Sequence, residues 1–273
     1  MTSAERDLTE VRERVQEATR RRGRGSWLWK LSPLSPILLL LVWEGASRSG
    51  MIDARFFPPP TTIIGTFGDM ISSGDLWDDS AATLTRVFVG FLIGAVPAVL
   101  LGIALGSVRV LRAVFGPIIT SLLPVPKVAI FPLLILIFGL GEMSKYAIVA
   151  IGVFFYIFFN TMSGVLQTPP VYLDVATANG ASALQRWLTV ALPSALPNIF
   201  TGLRLSIAGA FVIIAAAEFV GAEKGLGFLV WSSWSTFAVS KMYVGIITIS
   251  LYGYLAALLV GFLERRLVPW SKQ

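Results

Sequence analysis

The chain of 273 residues contains no cysteine and no histidine, and only 14% of its residues are charged. Without cysteine it can form neither a disulfide nor a thiolate metal site. Without histidine it lacks the side chain that most often serves as a base or metal ligand near neutral pH. It also has no Gly-x-x-x-x-Gly-Lys-Ser/Thr loop to hold the phosphates of ATP. We therefore expect no catalytic residue, no metal site and no cofactor on this chain.

Apolar residues, in contrast, make up 55% of the chain, and its mean hydropathy is +0.74. A soluble domain has about 45–50% apolar residues and about 25% charged ones. The excess lies in runs of about twenty residues, which is the length of a helix that crosses a bilayer. Backbone groups in hydrocarbon must satisfy their own hydrogen bonds, so these runs are predicted to be helices. The sequence thus predicts an all-α, polytopic transmembrane helical bundle in a lipid bilayer.

The apolar runs predict six spans, at residues 31–47, 82–106, 116–140, 146–166, 198–220 and 243–263. The second span contains glycines at four-residue spacing, which lets another helix backbone approach closely; they are Gly90, Gly94, Gly102 and Gly106. The third span is predicted to be broken or kinked because it contains three prolines, Pro124, Pro126 and Pro132. Between the first two spans, a short helix is predicted to begin near Thr61 or Thr62.

Basic residues cluster in the segments outside the spans. Residues 1–30 hold eight of the 22 Lys and Arg residues, and most others outside the spans lie at Arg109 and Arg112, after Asp174 and at the C-terminus. Because basic loops stay on the cytoplasmic side, both termini are predicted to be cytoplasmic. The basic tail of residues 1–30 is either an amphipathic surface or partner-binding helix or a partly ordered cytoplasmic tail. We attribute the net charge of +6 to topology and expect no nucleic-acid partner.

Five ionisable residues fall in or near the spans: Glu44, Arg86, Lys127, Arg204 and Glu218. A charge in the membrane is a functional candidate because it must face a cavity or a partner. The alternative is that the two arginines lie at helix ends and extend toward water, and that the two glutamates form structural hydrogen bonds. A proton relay through the glutamates would suit a proton-coupled secondary transporter, but no inverted repeat is evident in the sequence.

One polar segment in the second half of the chain has an ordered pattern. It reads Asp-Val-Ala, three residues, Gly, nine residues and Val-Ala-Leu-Pro, from Asp174 to Pro193. This pattern resembles the coupling loop of the membrane subunits of binding-protein-dependent ABC importers, whose motif is Glu-Ala-Ala, three residues, Gly, nine residues and Ile-x-Leu-Pro. Asp174, Val175 and Val190 replace family residues of similar character. The other motif positions match directly and are Ala176, Gly180, Leu192 and Pro193.

Further stretches across residues 30–270 narrow the resemblance. They look like the nitrate/sulfonate/taurine permease group and read FFPPPTTI, TLTRVFVGFLIGAVPAVLLGIALG, PVPKVAIFPLLILIFGLGEMSK, NTMSGV, GLRLSIAGAF, AAEF and GLGFLV. The resemblance implies a type I ABC importer permease fold for a transmembrane domain of residues 31–270, in the cytoplasmic (inner) membrane of a prokaryote. It also implies a homodimer with a second permease copy, two ABC ATPase subunits that bind ATP and Mg, and an extracytoplasmic substrate-binding protein.

The resemblance also implies a role for residues 169–195, called loop 169–195 below. In the family this loop forms two short helices, joined near the glycine, that insert into a cleft on the ATPase. Asp174 would lie near the start of the first helix or pair with a basic group. An apolar contact face would be supplied by Leu184, Trp187 and Leu188. The ATPase-coupling residues would be Asp174, Ala176, Gly180, Ala181, Leu184, Trp187, Leu192 and Pro193.

For the cargo, the resemblance implies a small anion such as nitrate, a sulfonate, taurine or bicarbonate. The alternative is that the same type of complex imports a vitamin precursor, either a pyrimidine or a flavin. A more distant alternative is a proton-coupled secondary transporter. Lys127 and Arg204 are predicted to ease the passage of an anion, because a nearby positive charge offsets the cost of removing the anion from water. The candidates for the pathway and its gate are Pro124, Lys127, Arg204, Glu218, Gly225 and Gly227.

Overall fold

The computed structural model describes residues 34–271, and in that range it contains eleven α-helices and no strand. The predicted all-α class is confirmed. The predicted basic tail of residues 1–30 lies outside the described residues. The chain divides into two compact units, one up to Ile64 and the other from Gly65.

The first unit contains α1, which spans Leu34–Arg48. It also contains the start of α2, which spans Pro60–Ser73. The start of α2 at Pro60 agrees with the helix predicted near Thr61. Glu44 of α1 accepts hydrogen bonds from the backbone N–H of Thr61 at 3.0 Å and from its hydroxyl at 2.8 Å, and it forms an ion pair with Arg48. These contacts favour the structural role for Glu44 over a proton relay.

Among the described helices, four runs are long and apolar enough to cross a membrane, and all lie in the second unit. They are α3 (Asp75–Ser107), α6 (Glu142–Leu166), the continuous run Ala183–Glu218 and α11 (Val239–Leu267). These runs match four of the six predicted spans. Two boundaries were wrong: the second span begins earlier than residue 82, and the helical run of the fifth begins before residue 198.

The third predicted span is broken, as its prolines indicate. It consists of α4 (Arg109–Ser121), a 3₁₀ turn at Lys127–Ile130 and α5 (Phe131–Phe138). Pro124 and Pro126 lie in the non-helical stretch, where the missing N–H of proline removes no helical hydrogen bond. Pro132 is in the first turn of α5, where proline is tolerated because the N–H there has no helical partner.

Helices α3 and α6 pack side by side through the glycines of α3. A Cβ atom added at Gly94 would lie 2.4 Å from the Ala150 carbonyl oxygen, and one at Gly102 would lie 2.7 Å from the Thr161 Cβ. Cβ atoms at Gly90 and Gly106 would meet α6 at 2.7 Å as well. The predicted close approach at these glycines is confirmed, and the order of the contacts along both helices shows that α3 and α6 run in the same direction.

The remaining helices are α7 (Pro170–Ala178), α8 (Ala183–Arg186), α9 (Leu192–Glu218) and α10 (Leu226–Ser235). Helix α9 runs antiparallel to α6, with Gly164 of α6 against Asn198 and Gly202 of α9 against Asn160. The core between α3, α6 and α9 includes fully buried Ile148, Phe158 and Ile214. The second unit therefore has a loop end, where loop 169–195 meets the end of α3, and an opposite end, where α3 and α6 begin and α9 stops.

Candidate functional site

Loop 169–195 is a helix–turn–helix in which the turn is set by Gly180. Gly180 has a φ of +75°, in the left-handed region that glycine adopts without steric cost. Its N–H donates to the Thr177 carbonyl at 2.9 Å, and the N–H of Ala181 donates to the Ala176 carbonyl at 3.0 Å. This pair of bonds is a Schellman motif, which satisfies the last carbonyls of α7. Three of the predicted coupling residues, Ala176, Gly180 and Ala181, thus take part in the turn that ends α7.

The second short helix is fixed at its start and is linked to the first. Ser182 and Gln185 form a capping box, with hydrogen bonds of 3.3 and 2.8 Å between side chain and backbone in both directions. Such a box satisfies two N–H groups that a helix start otherwise leaves without a partner. The Arg186 guanidinium donates to the Thr177 hydroxyl at 2.8 Å, so the two helices are also bonded across the turn.

Loop 169–195 continues into the membrane-spanning part of the chain without a break. A π-helical turn at Trp187–Ala191 joins α8 to α9, and Pro193 lies in the first turn of α9. The Trp187 indole N–H donates to the Ser107 hydroxyl at 2.9 Å, which attaches the loop to the end of α3. A displacement of the loop would therefore be passed directly to α9 and α3.

The surface of the loop carries several apolar side chains exposed to solvent, with Leu184 at 66% and Val175 at 56% of their full accessibility. Trp187 is half-buried and donates its indole N–H to Ser107; its place on an apolar contact face stays a prediction. Asp174 is exposed in the middle of α7 instead of its first turn, and it forms no ion pair with another residue of the described range. Ala176, Leu192 and Pro193 are half-buried at the base of the loop.

The opposite end contains a group of charges centred on Arg86, in which Arg86, Lys145 and Glu218 are buried and Glu142 is exposed. Its guanidinium donates two hydrogen bonds of 2.7 Å to the Glu142 carboxylate and one of 2.8 Å to Glu218. Glu218 is completely buried and also accepts from the Thr83 hydroxyl at 3.0 Å. Lys145 lies 3.5 Å from Glu142. Two acids and two bases balance, as buried charges require; we call these five residues the Arg86 cluster.

The Arg86 cluster holds the turn between α9 and α10. Arg86 donates to the Lys224 carbonyl at 2.6 Å, the N–H of Leu226 donates to Thr83 at 2.8 Å, and the N–H of Gly227 donates to Glu218 at 2.8 Å. At the rim, the ammonium of Lys224 donates to the Asp78 carboxylate at 2.8 Å, and this contact raises the pKa of Lys224. The turn is therefore bonded at successive residues to side chains of α3 and α9.

Two glycines make this close contact possible. Gly225 has a φ of +130°, and an added Cβ would lie 2.5 Å from the Glu218 carboxyl group. A Cβ at Gly227 would lie 2.4 Å from the Ala215 carbonyl oxygen. The structure thus brings three of the predicted gate residues, Glu218, Gly225 and Gly227, into one closed, hydrogen-bonded group.

Comparison with known proteins shows the family and the fold of this chain. The family described as the binding-protein-dependent transport system inner membrane component matches residues 90–269. The chain belongs to this family. It is also similar to an inward-facing chain of the MetNI methionine ABC transporter, with a TM-score of 0.57 and 21% identity over 73% of this chain and 95% of that one. This similarity confirms the type I ABC importer permease fold.

Several permeases resemble this one along most of its length. It is 34% identical to the taurine transport system permease protein TauC of Escherichia coli, covering 89% of this chain and 93% of the relative. It is 34% identical to the nitrate import permease protein NrtB of Leptolyngbya laminosa, covering 74% and 72%. It is 32% identical to the riboflavin transport system permease protein RibX of Chloroflexus aurantiacus, covering 94% and 96%. The taurine and nitrate relatives confirm the predicted permease group.

The other predicted pathway residues of this permease lie apart from the Arg86 cluster. Lys127 donates to the Leu123 carbonyl and lies 4.7 Å from the centre of the Phe155 ring, an attractive cation–π arrangement. It lines a largely apolar cleft of about 440 Å³ between α3, the 3₁₀ turn and α6. Pro124 is exposed nearby in the chain. Arg204 instead forms an ion pair with Glu264 of α11.

Arg86 shows what the sequence indicated and what it missed in this permease. The alternative that Arg86 extends toward water from a helix end is wrong, since the residue is only 5% exposed. Its charge within a span indicated that it must face a cavity or a partner, and the structure shows the partners. Glu142, Thr83 and Lys145 had no comparable signal, because Glu142 and Lys145 fall at the edge of a span and hydroxyl side chains are common in membrane helices.

Proposed function

We propose that this permease subunit carries a small anion of the sulfonate or nitrate class across the membrane. An extracytoplasmic binding protein delivers the anion, and ATP hydrolysis on separate subunits drives the transport. The taurine and nitrate relatives support an anion. The riboflavin relative supports a vitamin precursor as the second candidate.

The observation that carries the ATP-driven part of the proposal is the construction of loop 169–195. Its turn is fixed by Gly180, its two short helices are joined by Arg186, and its outer face exposes apolar side chains such as Leu184. An exposed apolar surface on a well-ordered element is typical of a site that binds another protein. A loop that only connected two spans would need neither this order nor this surface.

The assembly is the one that the family resemblance implies. Two copies of the chain form the membrane part. Two ATPase subunits hold ATP and Mg, and each binds loop 169–195 of one copy. Basic residues near the loop end, such as Arg109 and Arg112, and the C-terminal Arg265 and Arg266 support a cytoplasmic position for that end. The opposite end then faces the binding protein.

The proposed mechanism is alternating access. ATP binding closes the ATPase pair, which moves loop 169–195 as a rigid lever because the loop is continuous with α9. Helix α9 ends at Glu218, so the same movement reaches the Arg86 cluster and the turn after it. Hydrolysis and separation of the ATPase subunits return the permease to the inward-facing state. A packed interface with two discrete arrangements converts a small displacement into such a switch.

The proposal is tested by substitution of Gly180 in the reconstituted complex of permease, ATPase and binding protein. Gly180→Val places a branched side chain at φ +75°, which bulky residues avoid, and we expect loss of transport and of substrate-stimulated ATPase activity. Gly180→Asn is the matched control, since asparagine tolerates this conformation, and it should retain most activity. Full transport and full stimulation with Gly180→Val would overturn the coupling role.

A separate measurement tests the distant alternative. Proteoliposomes that contain the permease without ATPase should show no uptake when a proton gradient is imposed. Uptake under those conditions would favour a secondary transporter.

A further inference from the structure

The turn that follows α10 at the opposite end has an unusual residue at its critical position. The N–H of Phe237 donates to the Trp234 carbonyl at 3.1 Å, and the N–H of Ala238 donates to the Ser233 carbonyl at 2.8 Å. These bonds form a Schellman motif of the same kind as the one at Gly180. Phe237 occupies the left-handed position with a φ of +55°, and within residues 34–271 no other non-glycine residue has a positive φ.

Phenylalanine is poorly suited to this position for two reasons. In the left-handed conformation its Cβ crowds the following carbonyl oxygen, which glycine avoids. The residue is 80% exposed, so packing within the chain does little to offset the strain. A strained residue with so little packing inside its own chain is a reason to look for a contact outside it.

The surroundings of Phe237 form a groove of about 530 Å³ between α2 and this turn. One wall carries Asp69 and Asp75, and the other carries Phe237 and Lys241. All four side chains are exposed. An exposed aromatic ring beside a polar, charged wall matches the usual anatomy of a protein-binding surface, which has an apolar anchor and a polar rim.

We propose that Phe237 and this groove are the docking surface for the soluble substrate-binding protein. The partner would offer an apolar pocket for the ring and basic groups facing Asp69 and Asp75. This inference rests on the proposed function, which places the opposite end outside the cytoplasm. Two carboxylates against one ammonium give the groove a negative balance, and charged walls make lipid tails unsuitable occupants.

The deciding variant is Phe237→Gly, because it removes the anchor and relieves the strained backbone at the same time. It is made in the complete complex in proteoliposomes, and ATPase stimulation is measured against the concentration of substrate-loaded binding protein. We expect the half-saturating concentration to rise about tenfold, as for loss of an interface anchor. Maximal stimulation and basal ATPase activity should stay unchanged, and the melting temperature should stay equal or rise.

Two matched variants separate the ring from the backbone. Phe237→Asn also tolerates the left-handed conformation but lacks the ring, so it should behave like the glycine variant. Phe88→Ala removes another exposed aromatic ring, on the side of α3, and should leave the half-saturating concentration unchanged. Replacement of Asp69 by Lys should raise that concentration and reduce its dependence on salt.

The outcomes that contradict the proposal are distinct. An unchanged half-saturating concentration with Phe237→Gly would overturn the docking role while leaving the importer function intact. Dissociation of the permease pair by the same variant would identify a second copy of the chain as the occupant and would also overturn it. Absence of any ATPase stimulation with the unaltered permease would count against the proposed function itself.

Discussion

The two ends of the second unit are stabilised by different chemistry. At the loop end, hydrogen bonds among half-buried or exposed groups, such as Arg186 to Thr177 and Trp187 to Ser107, shape a surface that projects apolar side chains. At the opposite end, a fully buried carboxylate and the buried Arg86 hold a turn from within. The first arrangement leaves apolar side chains open to a partner, as the proposed ATPase contact needs, and the second holds its turn in one conformation.

Helix α9 connects these two regions. The π turn at Trp187–Ala191 makes the loop continuous with α9, and Glu218 is the last residue of that helix. At the start of α9, Pro197 cannot donate to the Pro193 carbonyl, and the Trp270 indole N–H donates to that carbonyl at 3.4 Å. The loop end is thus hydrogen-bonded to the end of α3 and to the segment after α11. Both ends are therefore bonded to neighbouring helices, and they differ in how deeply the bonded groups are buried.

The largest effect is expected from removal of the buried cation. Arg86→Met would leave the buried Glu218 carboxylate without its cation, and loss of one member of a buried pair costs about 3–5 kcal/mol of stability. Arg204→Met is the matched control, because the Arg204 side chain is 45% exposed in its pair with Glu264. An exposed pair contributes about 0–1 kcal/mol.

Thermal or denaturant unfolding of the purified permease measures this difference. Equal stability of the two variants would show that the Arg86 cluster is not the main support of the opposite end. A double variant with Arg86→Met and Glu218→Met should recover part of the loss, since it removes the uncompensated Glu218 carboxylate as well.

The second prediction compares Gly180 at the loop end with Gly225 at the opposite end, both of which have a positive φ. Gly225→Ala brings a Cβ to 2.5 Å from the Glu218 carboxyl group, whereas an added Cβ at Gly180 meets no atom within 4 Å. Gly180→Ala should therefore cost only the left-handed penalty of about 1–2 kcal/mol. Gly225→Ala should cost clearly more because it also displaces a buried carboxylate, and unfolding of both variants tests the order. The reverse order would mean that the turn at Gly225 adapts easily.

The features that the sequence predicted well depend on neighbours along the chain. The glycines of α3 lie on one face because helical spacing puts them there, and the prolines near Pro126 interrupt hydrogen bonds of their own segment. The Arg86 cluster depends instead on residues 56 and 132 positions apart, which only the packing of three helices brings together. The early start of the fifth helical run was missed because Pro193 falls in a first helical turn, where proline is tolerated. Phe237 was missed because a Schellman turn normally indicates glycine.

The smallest effect on stability is expected at the outer face of the loop, where function should nevertheless change. Leu184→Asp replaces a side chain that is 66% exposed, so the unfolding temperature should not move. A charge in an apolar contact should weaken ATPase binding about tenfold or more, measured as ATPase subunit retained with the purified permease. Leu184→Met keeps the apolar contact and should retain the subunit. Normal retention of the ATPase subunit with Leu184→Asp would show that the ATPase does not bind this face of the loop. The ordered turn at Gly180 would then have a role within the permease only.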